Sequence, residues 1–189
     1  PRSELREMLR PRDTIISTPC VGLNNWVCST ASQSNQDASG VVSGTLTATV
    51  AVDHVSTSGA SSMVGRLIIG QIHAGTDEPC RLYYRKLPGN TKGSIYIAHE
   101  PGNGNPEQWY DMIGSRSSSA SDPADGIALG EQFSYEIKVV GNTLTVTISR
   151  PGKPDVVEIV DMSNSGFAND WMYFKAGCDN QNNSGNSGD

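Results

Sequence analysis

Long apolar runs, abundant charge and paired cysteine motifs are all missing from this chain. No stretch of about 18 apolar residues occurs, so neither a helical membrane span nor a membrane partner is expected. Charged residues make up only 18%, with 14 Lys and Arg against 20 Asp and Glu, for a net charge of −6. A nucleic-acid partner needs a concentrated basic surface, and this balance argues against one. Any polyanionic ligand would have to be drawn in by a local basic patch against a repulsive whole. The four cysteines form no CxxC pair and have no nearby histidine cluster, so no metal and no other cofactor is expected. Cys20 and Cys28 flank "VGLNNWV", a spacing that a disulfide across a bend could bridge or that two thiols could occupy. Cys80 and Cys178 stand alone in apolar company and are expected to be buried thiols.

What is present fits one domain. A chain of 189 residues, 36% hydrophobic, can bury a single core. Plentiful Ser, Thr, Asn and Gly suit an exported all-β protein, and a secreted location, extracellular or periplasmic, is expected. The opening "PRSELREML" has no signal-peptide pattern and reads as a matured or trimmed start. A monomer is expected.

Strand signals dominate and helix signals are almost absent. "GTLTATVAVDHVS" (44–56) alternates Leu46, Ala48, Val50 and Val52 with Thr and Asp, as a half-buried strand does. Further runs at 65–75, 81–87, 94–100, 109–115, 132–140, 143–149, 155–162 and 173–181 are separated by turn residues. Gly141 and Asn142 between two of them are a two-residue hairpin signature. Strands at this spacing predict an all-β jelly roll or β-sandwich of two antiparallel sheets. Residues 115–126 read as a long polar loop, and 182–189 as a mobile, low-complexity tail.

Side chains on a strand alternate between faces, which sorts three segments. In "RSELRE", Arg2, Glu4 and Arg6 share a side. In "IIGQIHA", Gln71 and His73 share one while Ile72 points away. In "YFKAGCDNQ", Tyr173, Lys175, Gly177, Asp179 and Gln181 lie together. Each has a bland reading: a lone strand histidine is more often structural, and a charged stripe is usually solvated. Against this, the neighbours of Gln71 are apolar (Leu67, Ile68, Ile69, Ile72), which predicts a central strand whose polar pair is not edge decoration. The pooled groups suit proton removal beside a carboxylate. Arg and a neutral amide can offset the developing charge, and a neutral imidazole, with a reference pKa of about 6.5, can accept the proton. Residue types alone therefore point to a groove for an acidic sugar polymer, with elimination as one possible chemistry.

"RSELRE", "GQIH" and "YFKAG" followed by "NQ", in this order, resemble the three signature strands of polysaccharide lyase family 7, the alginate lyases. The intervening "RLYYRKLPGNTKGSIY" and "SRSSSASDPADGIALGE" resemble marine bacterial members. The resemblance implies a jelly roll whose concave face binds alginate and cleaves the 1,4 link by β-elimination. Carried over by motif, Arg2 and Gln71 would neutralise the C5 carboxylate and His73 would take the C5 proton. Arg6, Lys175 and Gln181 would hold neighbouring uronates. Ile72 within "QIH" tends in the family to accompany guluronate-containing substrates. The family domain has strands before the first motif and after the last, so 1–189 is expected to be a single domain truncated at both ends.

One position departs from the pattern. The family places a tyrosine two residues after "AG", the phenol that protonates the leaving oxygen, and here that residue is Asp179. Tyr173 is six residues away, roughly 20 Å at about 3.3 Å per residue, too far to serve the same bond. Asp179 would have to act as the acid, leave that role to water or another group, or mark a chain that binds better than it cuts. The rival is thus an alginate-binding module or impaired lyase. A more distant rival is a jelly-roll glycoside hydrolase using two carboxylates, for which Glu4 and Asp179 are the nominees.

Overall fold

The computed structural model describes residues 2–10, 21–75 and 77–186. In chain order the strands are β1 (Arg2–Arg6), β2 (Trp26–Val27), β3 (Val41–Val42), β4 (Gly44–Ala51), β5 (Arg66–His73), β6 (Cys80–Arg85) and β7 (Lys92–His99). They continue as β8 (Gln108–Ile113), β9 (Ile127–Ala128), β10 (Gln132–Val140), β11 (Thr143–Ser149), β12 (Val156–Asp161) and β13 (Trp171–Asn180). One short helix, α1 (Gln33–Ala38), lies between β2 and β3. It was not expected from the sequence, because its six residues are all polar or small and bury nothing. Its one local signal is the N-cap Ser32, whose hydroxyl accepts from the Asn35 N–H at 3.4 Å. The two-residue strands β2, β3 and β9 are likewise too short to show a period.

The strands form two sheets, as the alternation predicts. The smaller has the order β12-β11-β10-β4. Phe133, Tyr135, Ile137, Val139, Leu144, Val146 and Ile148 point inward from it, and Thr and Ser residues line its outer face. Its β10–β11 hairpin closes at Val140 and Thr143 around Gly141, whose φ of 60° is the left-handed geometry such a turn requires. The larger sheet runs β3-β2-β13-β5-β6-β7-β8, with β1 on β13 and β9 on β7. Its inward residues, among them Leu67, Ile72, Leu82, Tyr84, Ile95, Ile97 and Phe174, meet those of the smaller sheet in one core. Truncating Ile72, which is 0% exposed, is the kind of change that costs about 2–5 kcal/mol.

Strand β5 is central in the larger sheet, as its apolar flanks predict, and it carries a polar pair on the side away from the core. Two glycines let neighbouring elements approach. A Cβ at Gly70 would lie 2.8 Å from the Tyr135 ring, which packs there and donates its hydroxyl to Ile69 O at 2.7 Å. A Cβ at Gly177, where φ is 147°, would lie 2.3 Å from Ser3 O. Glycine at 177 therefore allows β1 to pair with β13.

The cysteine expectations need one correction. Cys28 and Cys80 are buried free thiols, and burial pushes their pKa up to about 11 and about 12. Cys20, the proposed partner of Cys28, lies outside the described residues. Cys178, expected to be buried, is exposed. Next to it the register between β13 and β5 slips between Ala176 and Asp179, and Cys178 faces a cavity of about 400 Å³ that β4 and Leu67 only partly cover. Residues 182–186 carry hydrogen bonds to the rest of the chain, for example from Ala60 N–H to Asn183 Oδ1 at 2.9 Å. Residues 187–189 of the expected tail lie outside the described residues.

Candidate active site

Strand register gathers the motif residues on the face of the larger sheet turned away from the core. Across β1, β13, β5 and β6 one row reads Arg6, Lys175, Gln71, Arg81; Tyr173 pairs with His73 two residues to one side, and Arg2 pairs with Asp179 four residues to the other, beyond Glu4 and Gly177. Neighbouring strands lie about 4.7–4.9 Å apart, so four polar side chains stand side by side across the cleft. Arg2, Glu4, Arg6, Tyr173 and Lys175 line a cavity there of about 400 Å³. The sequence motifs are far apart in the chain, and only the antiparallel pairing of β1 and β5 to the two sides of β13 unites them.

The cations in this row are not idle. Glu4, with its side chain 6% exposed, lies 3.3 Å from Arg2 Nε and 3.8 Å from Lys175 Nζ, and it accepts a hydrogen bond from Gln71 Nε2. Arg2 also donates to Asp179 at 2.6 Å, and this bond is the main reason the guanidinium pKa is raised. Asp179 is buried while the Arg2 side chain is 56% exposed, so the charge-assisted bond is shielded from solvent on the carboxylate side only. Arg6 sits over the Tyr173 ring, 3.5 Å from its centroid, and donates to Asn25 Oδ1 at 3.1 Å. Gln181 lies beyond the end of β13, beside Arg66 rather than beside His73, and accepts from that arginine at 3.4 Å.

His73 has the geometry of a proton acceptor. Its Nδ1 is 2.6 Å from Ala74 O, and a carbonyl can only accept, so in the neutral ring Nδ1 carries the hydrogen and Nε2 the lone pair. The ring stacks on Tyr173 with centroids 5.2 Å apart and planes 8° from parallel. Burial outweighs the Ala74 bond and lowers the imidazole pKa, and Lys175, Arg6 and Arg2 add to the lowering. His99 is the contrasting, structural histidine. It is 0% exposed, with Nδ1 2.7 Å from Pro79 O and Nε2 2.6 Å from Ser165 Oγ.

The sequence reading missed Glu78. Its Oε1 lies 3.2 Å from His73 Nε2, and burial, with Glu100 adding, raises its carboxyl pKa to about 6 against the opposing charges of Arg81 and Lys175. Arg81 in turn pairs with Glu100 at 3.1 Å and with Glu107. Glu78 lies after the strand, where parity says nothing, and a single acidic residue there carries no signal. Its placement makes a prediction. A carboxylate beside Nε2 favours imidazolium, so Glu78→Gln should move the acid limb of any His73-dependent rate to lower pH. An unchanged limb in a pH–rate profile of kcat/KM would show that the two groups do not titrate together.

The family model for alginate lyases matches residues 1–189. A curated alginate lyase from Klebsiella pneumoniae is 57% identical over 198 aligned residues, which take in 100% of this chain and 64% of that protein, so the chain spans less than two thirds of its relative. The crystal structure of the Klebsiella pneumoniae alginate lyase superposes with a TM-score of 0.92 over 96% of this chain and 67% of that one, at 57% identity. The exolytic family 7 alginate lyase of Zobellia galactanivorans superposes with a TM-score of 0.65 at 30% identity, over 75% of this chain and 60% of that one.

Proposed function

The chain belongs to polysaccharide lyase family 7, the alginate lyases, and from that premise we propose that it cleaves 1,4-linked uronates of alginate by β-elimination. The observation that carries the proposal is the cross-strand row of Arg6, Lys175 and Gln71 next to an imidazole whose Nε2 holds its lone pair. Arg2 and Gln71 offset the charge that builds on the C5 carboxylate. His73 Nε2 takes the C5 proton, the released electron pair forms the C4–C5 double bond, and the C4–O4 bond breaks. The leaving oxygen then takes up a proton. Arg6 and Lys175 hold adjacent uronates, and the substrate carboxylate competes with Glu4 and Asp179 for the cations they now engage.

Guluronate-containing blocks are the proposed substrates, on the strength of the "QIH" resemblance. Ile72 points into the core, so it affects selectivity only through how it seats Gln71 and His73. The protein is proposed to act as a secreted monomer, on composition alone.

One observation favours a second reading, an alginate-binding or impaired homologue. Asp179 occupies the place of the expected phenol and is bonded to Arg2, so as a carboxylate it accepts and has no proton to give. Both readings require a groove that holds a polyanion through ionic contacts, which are screened beyond about 8–10 Å at ordinary ionic strength. Retention on an alginate gel should therefore fall steeply as salt rises. Salt-independent retention would remove the basic groove from both readings.

A further inference from the structure

A cavity of about 510 Å³ on this sheet face lies at the other end of β5 from His73. The strand has eight residues, so at about 3.3 Å each its ends are roughly 20 Å apart, several sugar units along the groove. Arg66, Arg85, Tyr96, Trp109 and Arg116 are among the residues that line it.

Its cations differ from most of those at the reacting end, where only Arg6, held by Asn25 and the Tyr173 ring, has no carboxylate partner among the described residues. Arg2, Arg81 and Lys175 all face carboxylates, whereas neither Arg66 nor Arg116 is ion-paired among the described residues. The Arg66 guanidinium lies 5.4 Å from the Tyr83 centroid, and its buried Nε has no hydrogen-bond partner. Arg116 lies over Trp109 at 5.0 Å, and the half-buried indole rests on Tyr83 and Tyr96 with centroids 5.6 and 6.0 Å away.

Arg116 belongs to the polar loop 115–126, and that loop is held in place. Buried Arg85 donates to Arg116 O at 2.9 Å, to Val64 O at 3.2 Å and to Ser61 O. Asp111 accepts from the Arg116 N–H at 2.9 Å, and Asp122 accepts from Thr91 Oγ1 at 2.6 Å. Arg85 is thus occupied with carbonyls and serves as a support, which leaves Arg66, Arg116 and Trp109 presented on a fixed frame.

We propose that this cavity is a distal subsite for one further anionic sugar residue of the bound chain, with the sugar face on Trp109 and its carboxylate between Arg66 and Arg116. The inference rests on the alginate reading and deepens it. Occupation of both ends of β5 anchors long chains and leaves the chemistry at His73 untouched.

The test compares the wild type with Arg116→Ala, Arg116→Glu and Trp109→Phe on polymeric alginate and on the shortest guluronate oligomers that are still cut. Arg116 is exposed, so its replacements should fold. On polymer KM should rise about tenfold for Arg116→Ala, equivalent to about 1.4 kcal/mol, and further for Arg116→Glu, with kcat kept. The shortest oligomers should be cut as well by the variants as by the wild type. Equal losses on short and long substrates, or no loss on either, would overturn the subsite. Should the wild type cut no alginate of any length, the lyase reading fails, and the subsite is judged by titrating tryptophan fluorescence with the same oligomers. Binding weakened by Arg116→Glu only for long oligomers supports it, and length-independent or unaltered binding overturns it. A single uronic acid monomer that saturates the cavity as tightly as a long oligomer would also overturn it, identifying a free-anion site.

Discussion

Asp179→Tyr is expected to raise the rate of elimination, by as much as about 10²- to 10⁴-fold, the usual worth of a positioned general acid. In the wild type the position holds an acceptor bonded to Arg2 at 2.6 Å. The substitution replaces it with a hydroxyl that can donate to the departing oxygen, and it frees Arg2 for the substrate carboxylate. Asp179 is buried, so the phenol is accommodated by displacing Arg2, whose side chain is 56% exposed and free to swing toward the cleft. Asp179→Asn separates the two effects. It removes repulsion toward a polyanion without supplying a comparable acid, so binding should tighten while turnover changes little. If Asp179 were itself the acid, Asp179→Asn would be inactive and the wild-type rate would fall as pH rises through the carboxyl pKa. A wild type that already turns over at an ordinary enzymatic rate and loses it on Asp179→Tyr would refute this account of the position.

His73→Ala should lower elimination by about 10²- to 10⁴-fold while the protein stays folded. The folded state loses the hydrogen bond to Ala74, the contact with Glu78 and one ring contact with Tyr173, together about 1–3 kcal/mol against a typical domain total of about 5–15. His99→Ala should behave in the opposite manner. It strips two hydrogen bonds from a fully buried site, so thermal stability should fall while any activity that survives keeps its pH dependence. The comparison is read from melting temperature and rate together. Unfolding of His73→Ala would return that residue to a structural role.

These contrasts were partly legible in the sequence. Strands 132–140 and 143–149 are found with those same bounds, since their alternation is unbroken and a Gly-Asn turn fixes the register. Alternation also put Arg2, Glu4 and Arg6 on one side, and Gln71 and His73 on one side, as observed. It could not foresee the register slips in β5 between Ile68 and Gly70 and beside β13 between Ala176 and Asp179. The second of these adjoins Cys178. Nor does alternation reach the partners that lie off the strands. The Glu78 contact with His73, the Arg81 pairs with Glu100 and Glu107, and the Arg116 stack on Trp109 all depend on how loops return to the sheet. The Arg2–Asp179 pair, 177 positions apart in sequence, follows only from the registration of β1 on β13.

Digestion of alginate by the unmodified protein, followed at once by ultraviolet absorbance of the unsaturated uronate and by the count of new reducing ends, tests the central proposal most directly. Elimination makes one conjugated double bond for every link broken, so the two signals should rise together in equal molar amounts, even if slowly because of Asp179. New reducing ends without absorbance would mean hydrolysis and would contradict the proposal. Salt-sensitive binding with neither signal would leave a protein that holds alginate without cutting it.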